Sequence, residues 1–442
     1  MQTHYNIISK NAYGAVWMLR FAPSPTHDMT IDELRAAIVS FVVARQRQEP
    51  FLIRIDDSDK AHTIEGKDTE IMQILEKFSI AHDQLFHLSE HANIHLTLAL
   101  QLLKEKKAYL CTCTEASREE TEANPCHADC AQADTKTYAR LKEDGTPFVI
   151  RLKAPKSAVT FHDLYRGTIT TEPDAVGEAV ILHADATPGC DFASAAEDML
   201  NDISLIIRPE SLLARTPIQE HIKQQLGCTI QTRYAHLAPF LPPKGGAEVP
   251  TLKRLFEEGY IPDAIINYLL LAGNPKAPKP LFTLPEAIEW FALEALASKS
   301  EPLDMETLRY LNREHLLRMD DRRLSTLFGF ADTAIGKLAK VYLEAEKAST
   351  VSELETYIRT LFAPKNFECE TGETMRQLGE IIWNAPMIDS YEDFVAHICE
   401  ESGMGEEALL PPLRLLLTGT DEGPELESIY PHIKSYLLEV IS

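Results

Sequence analysis

Met18-Leu-Arg-Phe-Ala-Pro-Ser-Pro-Thr26 opens the regular pattern of this chain, and Pro50-Phe-Leu-Ile-Arg-Ile-Asp-Asp-Ser-Asp59 completes it. Met18–Ala22 reads as a short apolar strand. Pro23-Ser24-Pro25 ends it, because proline lacks the ladder donor. Between the two stretches Leu34, Ile38, Phe41 and Val42 recur at spacings of three and four, the signature of a helix. Pro50–Ile55 is a second buried strand, closed by Asp56-Asp57-Ser58-Asp59. Strand, helix, strand in that order predicts a βαβ unit and a parallel sheet.

Outward from this unit, Glu65–Phe78 and Ile94–Glu105 read as further helices. Residues 106–185 change character. They hold Cys111, Cys113, Cys126 and Cys130, then short strands at Phe148–Leu152 and Ala179–Leu182. Residues 186–250 resume the α/β pattern, with a strand at Ile203–Arg208 and a helix at Pro217–Leu226. Beyond them the chain is mostly amphipathic helix. The organisation expected is an extension over 1–17, an α/β domain split into 18–105 and 186–250 by an insertion at 106–185, a helical region at 251–330 and an all-α domain at 331–442. Chain length agrees with several domains, since 442 residues at about 150 each suggests roughly three.

Composition excludes several classes. With 45% hydrophobic and 25% charged residues the chain is globular. No run of 18 apolar residues occurs, so no membrane helix is expected. No signal peptide is legible, and eight cysteines are too few for a disulfide framework, which predicts a reducing cytoplasm. The net charge of −24 repels bulk polyanions, so nucleic acid requires a local basic patch and DNA is not expected as a partner. Residues 331–442 carry eight Lys/Arg against 21 Asp/Glu, net −13.

Leu19-Arg-Phe-Ala-Pro-Ser-Pro-Thr26 with Phe51-Leu-Ile-Arg-Ile-Asp-Asp-Ser-Asp59 resembles the glutamyl-tRNA synthetases, which are class I. Ile203-Ser-Leu-Ile-Ile-Arg208, Thr216-Pro-Ile-Gln219 and the stretch from Leu255 to Leu269 agree. The short helical C-terminal part resembles the second such enzyme of bacteria that have two. The resemblance implies a Rossmann-like class I catalytic domain with an inserted connective domain and an all-α C-terminal domain. It implies glutamate, ATP, Mg and tRNA as partners. It also implies a structural zinc, for which four thiolates at Cys111, Cys113, Cys126 and Cys130 suit a tetrahedral site, with His127 an alternative to either late cysteine.

The family's two ATP signatures are altered here. The His-Ile-Gly-His tetrad, set at a helix N-terminus where backbone N–H groups favour phosphate, is Thr30-Ile31-Asp32-Glu33, and the preceding glycine is His27. The Lys-Met-Ser-Lys-Ser loop aligns with Phe240–Glu248, where Lys244 alone remains. Against a divergent ATP site, Thr30-x-x-Glu33 is expected to be a capping box, the Thr30 hydroxyl accepting from the Glu33 N–H and the Glu33 carboxylate from the Thr30 N–H. Asp32 and Glu33 oppose a polyphosphate, since like charges 4 Å apart cost about 4 kcal/mol at an effective dielectric of 20.

The amino-acid pocket is better kept. By resemblance Arg20 and Arg208 bind carboxylates through bidentate forks. Ala22 and Ser24 match, Asp56 replaces Glu, and Cys190-Asp191 replaces Tyr-Asn. Pro209 removes a backbone donor near the nucleotide. Two readings of the arginines stay open: they bind a small carboxylate such as glutamate, or they pair internally with Asp56, Asp191 or Glu210. The residues together predict a paralogue in which adenylation is lost or reduced and which acts as a binding or regulatory protein. The alternative is an active glutamate–tRNA ligase with variant signatures.

Overall fold

The computed structural model describes residues 18–112, 135–345 and 347–442. The expected extension 1–17 and three of the clustered cysteines, Cys113, Cys126 and Cys130, lie outside them. The described chain forms two compact units. One runs up to Leu252 and takes in Leu269–Leu303; the other comprises Lys253–Tyr268 and Asp304–Ser442. The region expected at 251–330 is therefore divided between the two.

The first unit realises the βαβ reading. β1 (Leu19–Phe21), α1 (Ile31–Arg47) and β2 (Phe51–Ile55) place β1 parallel to β2, with Leu19 opposite Phe51. α2 (Lys67–Lys77) leads to β3 (Gln84–His87), parallel to β2. α1 is buried on nearly every side from Leu34 to Ala44, more than the sequence stripe implied. Every residue of β2 is buried too, as expected of a parallel strand covered on both faces.

α3 (Ala92–Lys104), β4 (Ala108–Cys111), α4 (Thr135–Glu143) and β5 (Val149–Leu152) follow, then the hairpin β6 (Val159–Asp163) and β7 (Gly167–Thr171), then α5 (Pro173–Val176) and β8 (Val180–Leu182). Residues 106–185, expected as one insertion, have two destinations. β4, β5 and β8 make a separate antiparallel sheet. The β6–β7 hairpin, with alternate residues of β6 buried, extends the main sheet instead. α6 (Cys190–Leu200), β9 (Leu205–Pro209), α7 (Thr216–Leu226) and β10 (Arg233–Leu237) complete the core. β10 lies between β9 and β6 and is parallel to both, and a parallel bridge from Met18 to Ile203 joins this sheet to β1.

The described residues of the second unit are helical and contain no strand. Its core is largely aliphatic, with Leu316, Leu338, Leu354, Leu378, Ile398, Leu413 and Ile429 all but inaccessible. Among the described residues no helix is long and apolar enough to cross a membrane.

Candidate functional site

The C-terminal ends of β1, β2 and β9 meet the N-termini of α1 and α6 around a cleft of about 230 Å³. This is where ligands bind open parallel sheets, outside the carboxyl ends of the strands. Arg20, Ala22, Ser24, Asp56, Cys190 and Arg208 all line it, and Glu33 closes its α1 end. Six separated sequence positions are thus brought together around one cleft.

Arg20 is paired internally, but with none of the partners expected. Its Nε and Nη2 donate to the two carboxylate oxygens of Asp198 at 3.1 Å each, a bidentate fork. Arg54 shares that carboxylate: its Nη1 donates to Asp198 Oδ1 at 2.8 Å, while its Nε donates to Asp56 Oδ1 at 2.7 Å and its Nη2 to Ser194 Oγ at 2.8 Å. The sheet register explains the sharing. Arg20 lies opposite Leu52, and Arg54, two residues on, faces the same side. Burial alone would push the Asp198 carboxyl up. The Arg20 and Arg54 guanidiniums overcome that and hold it well below the usual range. At Asp56 burial wins over Arg54 and the pKa rises.

Arg208 differs. Its three acceptors among the described residues are neutral: His236 Nε2 at 3.0 Å, Gln219 Oε1 at 2.8 Å and Thr216 Oγ1 at 2.7 Å. Among the described residues no carboxylate lies within ion-pair distance of it, although it is only 5% exposed. Asp191 and Glu210, considered as partners from the sequence, are engaged elsewhere. Asp191 accepts from Arg215 Nε at 2.9 Å and from Gln219 Nε2 at 2.8 Å, and Glu210 pairs with Arg166 at 2.6 Å. Burial draws the Arg208 pKa down to about 10, which leaves it charged at neutral pH.

Cys190 begins α6 beside Ser58, with Sγ 3.9 Å from the hydroxyl, and burial pushes its thiol pKa up. Gly189 caps that helix. A Cβ there would lie 2.1 Å from the Val180 carbonyl oxygen, so only glycine lets α6 start so close to β8.

At the α1 end the capping box forms as predicted. Thr30 Oγ1 accepts from the Glu33 N–H at 3.2 Å, and Glu33 Oε2 accepts from the Thr30 N–H at 2.8 Å and the Thr30 hydroxyl at 2.9 Å. His27 adds Nε2 at 3.1 Å from Glu33 Oε1. Asp32 requires a correction. It turns away from the cleft, and its Oδ1 accepts from the Phe240 N–H at 3.1 Å. Burial pushes its carboxyl up and this N–H opposes it. Arg35, one turn on, lies over the Phe240 ring at 4.9 Å. The helix thus grips the residue that leads into the second signature segment. Lys244 is exposed in the turn Pro243–Gly246.

Cys111, the fourth candidate zinc ligand, is buried at the end of β4. Among the described residues no group of three or more His, Cys, Asp or Glu is arranged to hold a metal. The lining residue Gln219, and Arg54, Asp198, His236 and Thr216, which support Arg20 and Arg208 from beneath the cleft, were not assigned from the sequence. Arg54 carried a signal, being the one charged residue in the apolar run Phe51–Ile55. Asp198 carried none, since Arg20 is 178 residues away.

Comparison with known proteins accords with this arrangement. Residues 17–310 match the family "tRNA synthetases class I (E and Q), catalytic domain". The chain is 52% identical over 431 residues to the glutamate–tRNA ligase 2 of Sulfurovum sp. (strain NBC37-1), covering 96% of this chain and all of that one. It is 42% identical to the glutamate–tRNA ligase 2 of Sulfurimonas denitrificans, with the same coverage. A solved glutamate tRNA ligase of Elizabethkingia meningosepticum, in complex with its amino acid, shares the fold with a TM-score of 0.76 at 22% identity, over 96% of this chain and 98% of that one.

Proposed function

The chain belongs to the glutamyl-tRNA synthetase family of class I, and from that premise we propose that it binds a small carboxylate such as glutamate but has lost or greatly reduced ATP-dependent activation. The observation that carries the first half is Arg208. A buried guanidinium with neutral acceptors alone is costly, and a ligand carboxylate in the cleft supplies the missing charge. Arg20, by contrast, is already neutralised by Asp198.

The second half rests on the α1 terminus. The donors and dipole that would favour a polyphosphate there face Glu33, held in place by Thr30 and His27. The residues at the α1 terminus therefore do not fit the phosphates of ATP or a Mg ion bound to them. The protein acts on this reading as a binding or regulatory paralogue. With net −13 over 331–442, tRNA contact through that region is weak.

A second reading, an active glutamate–tRNA ligase with variant signatures, is favoured by the names its relatives carry. Pyrophosphate exchange with glutamate, ATP and total tRNA decides between the two. We expect no exchange above background; turnover comparable to an intact relative would return the chain to the ligases. Zinc at Cys111, Cys113, Cys126 and Cys130 remains a proposal from the sequence, tested by metal analysis of fresh protein. Less than about half an equivalent refutes it, because a structural site should be nearly filled.

A further inference from the structure

Arg208 is held by a chain of groups that reaches past the cleft. His236 lies directly across the β9–β10 register from it. Its Nδ1 is 2.7 Å from Asp163 Oδ2, and the same oxygen accepts the His236 backbone N–H at 3.1 Å. Asp163 Oδ1 accepts the backbone N–H groups of Tyr165 and Arg166, so this carboxylate accepts throughout. Asp163 and His236 are both fully buried. Only one protonation state satisfies the geometry. Nδ1 must carry the proton toward Asp163, which leaves the Nε2 lone pair for the Arg208 Nε–H at 3.0 Å. The Thr216 hydroxyl, 3.1 Å from the same nitrogen, takes the Arg208 Nη2–H on its oxygen and can donate its own proton to Nε2.

A second bridge is built the same way. Gln219 accepts from Arg208 Nη1 and donates to Asp191. Two carboxylates thus approach Arg208, each one neutral side chain away. Direct contact with either would neutralise the guanidinium, as Asp198 neutralises Arg20. A dipolar bridge orients it and leaves its charge for a ligand. Three of its five N–H groups are spent on this support, and two are left for a carboxylate.

We propose that His236, fixed as the Nδ1–H imidazole by Asp163, is a positioning residue that orients Arg208 and keeps its charge available to a carboxylate ligand. This deepens the reading of the cleft as a carboxylate site, and its ligand half rests on that reading. A proton on Nε2 would face the Arg208 Nε–H and break the contact. The charged groups around the imidazole are Asp163, Arg208 and Arg166; Tyr234 stacks on its face at 5.5 Å. Burial and the two arginines keep it neutral against the pull of Asp163. Carboxylate binding should therefore be flat with pH above about 6.5, the ordinary histidine value, and fall below it.

The test has two arms on the full chain. The first needs no ligand: 15N shifts of histidine-labelled protein, with His236→Gln identifying the signal. The expected result is a neutral imidazole protonated on Nδ1; an Nε2–H tautomer overturns the proposal. The second arm titrates L-glutamate by calorimetry into wild type, His236→Ala, His236→Gln and Arg208→Ala. We expect His236→Ala to weaken binding about tenfold, the size of one hydrogen bond to a charged group. His236→Gln, which restores an acceptor, should recover most of that. Wild-type affinity in His236→Ala overturns the proposal even with the expected tautomer. Should His236→Ala fail to fold, Asp163→Asn carries the comparison: it should release the tautomer and weaken binding while His236→Gln stays near wild type, and wild-type affinity in Asp163→Asn refutes the relay. A wild type that shows the Nδ1–H form but binds no glutamate refutes the carboxylate reading instead, and confines His236 to supporting Arg208.

Discussion

Asp198→Asn removes the shared anion of the cleft and keeps its shape. Asp198 is 3% exposed and receives three N–H groups, two from Arg20 at 3.1 Å and one from Arg54 at 2.8 Å. Asparagine carries no charge, and its NH2 must face one of the guanidiniums. Arg54 retains Asp56 and Ser194. Arg20 retains no carboxylate among the described residues. Leaving a buried charge without its partner costs about 3–5 kcal/mol. With a urea slope of about 1–3 kcal/mol per molar, the transition of the first unit should fall by roughly 1–5 M. The assay is urea unfolding followed by circular dichroism and tryptophan emission at pH 7.5. The pH dependence supplies a second check. The folded carboxyl is held low, so its stabilisation is fully present above the unfolded value near 3.9 and is lost as pH falls toward the folded value. The gap between wild type and variant should therefore narrow as the buffer is taken from pH 5 toward pH 3. A variant within about 0.5 kcal/mol of wild type, the range of ordinary surface changes, would refute the claim that Asp198 neutralises Arg20.

Further outcomes follow from the same geometry. Glu33→Ala strips the reciprocal half of the α1 cap and should cost about 1 kcal/mol, read as a fall in melting temperature of no more than about 2–4 °C. Gly189→Ala drives a Cβ to 2.1 Å from the Val180 oxygen; the overpacking should cost about 1–3 kcal/mol by denaturant unfolding. Glu197 is fully buried and accepts from His91 and His95 at 2.8 Å each. Burial pushes its carboxyl up, but the two histidines hold it low, so its contribution is present above about pH 4.3 and lost below. Glu197→Gln should flatten the acid limb of a stability–pH profile. An isolated anticodon stem-loop should not bind at nanomolar concentration at physiological salt, since 331–442 offers eight basic residues against 21 acidic; electrophoretic mobility shifts measure this.

What could be read from the sequence was local. The βαβ unit followed from apolar periodicity around Leu34–Val42, and the cap at Thr30 from a four-residue pattern whose partners are neighbours. What could not be read depends on register and long-range packing. The fate of Val159–Thr171 hinged on β6 pairing with β10, some 70 residues later. For Arg20 the sequence leaves open a ligand carboxylate or pairing with Asp56, Asp191 or Glu210, yet Asp198 on α6 takes it, a partner 178 residues away. Asp32 looked like a charge at the mouth of a phosphate site. Only the fold reveals that the Phe240 N–H claims it. His236 gave no signal beyond a histidine in the apolar run Tyr-Ala-His-Leu, since its significance lies in the register that sets it opposite Arg208.

Whether the α1 terminus admits nucleotide decides between a binding paralogue and an active ligase. Calorimetric titration of Mg·ATP into the full chain, with glutamate and total tRNA present, measures this directly. The prediction is no saturable binding below about 1 mM, the edge of useful affinity near −4 kcal/mol. Micromolar binding that Glu33→Arg abolishes or strengthens would place the phosphates at that helix end and contradict the account.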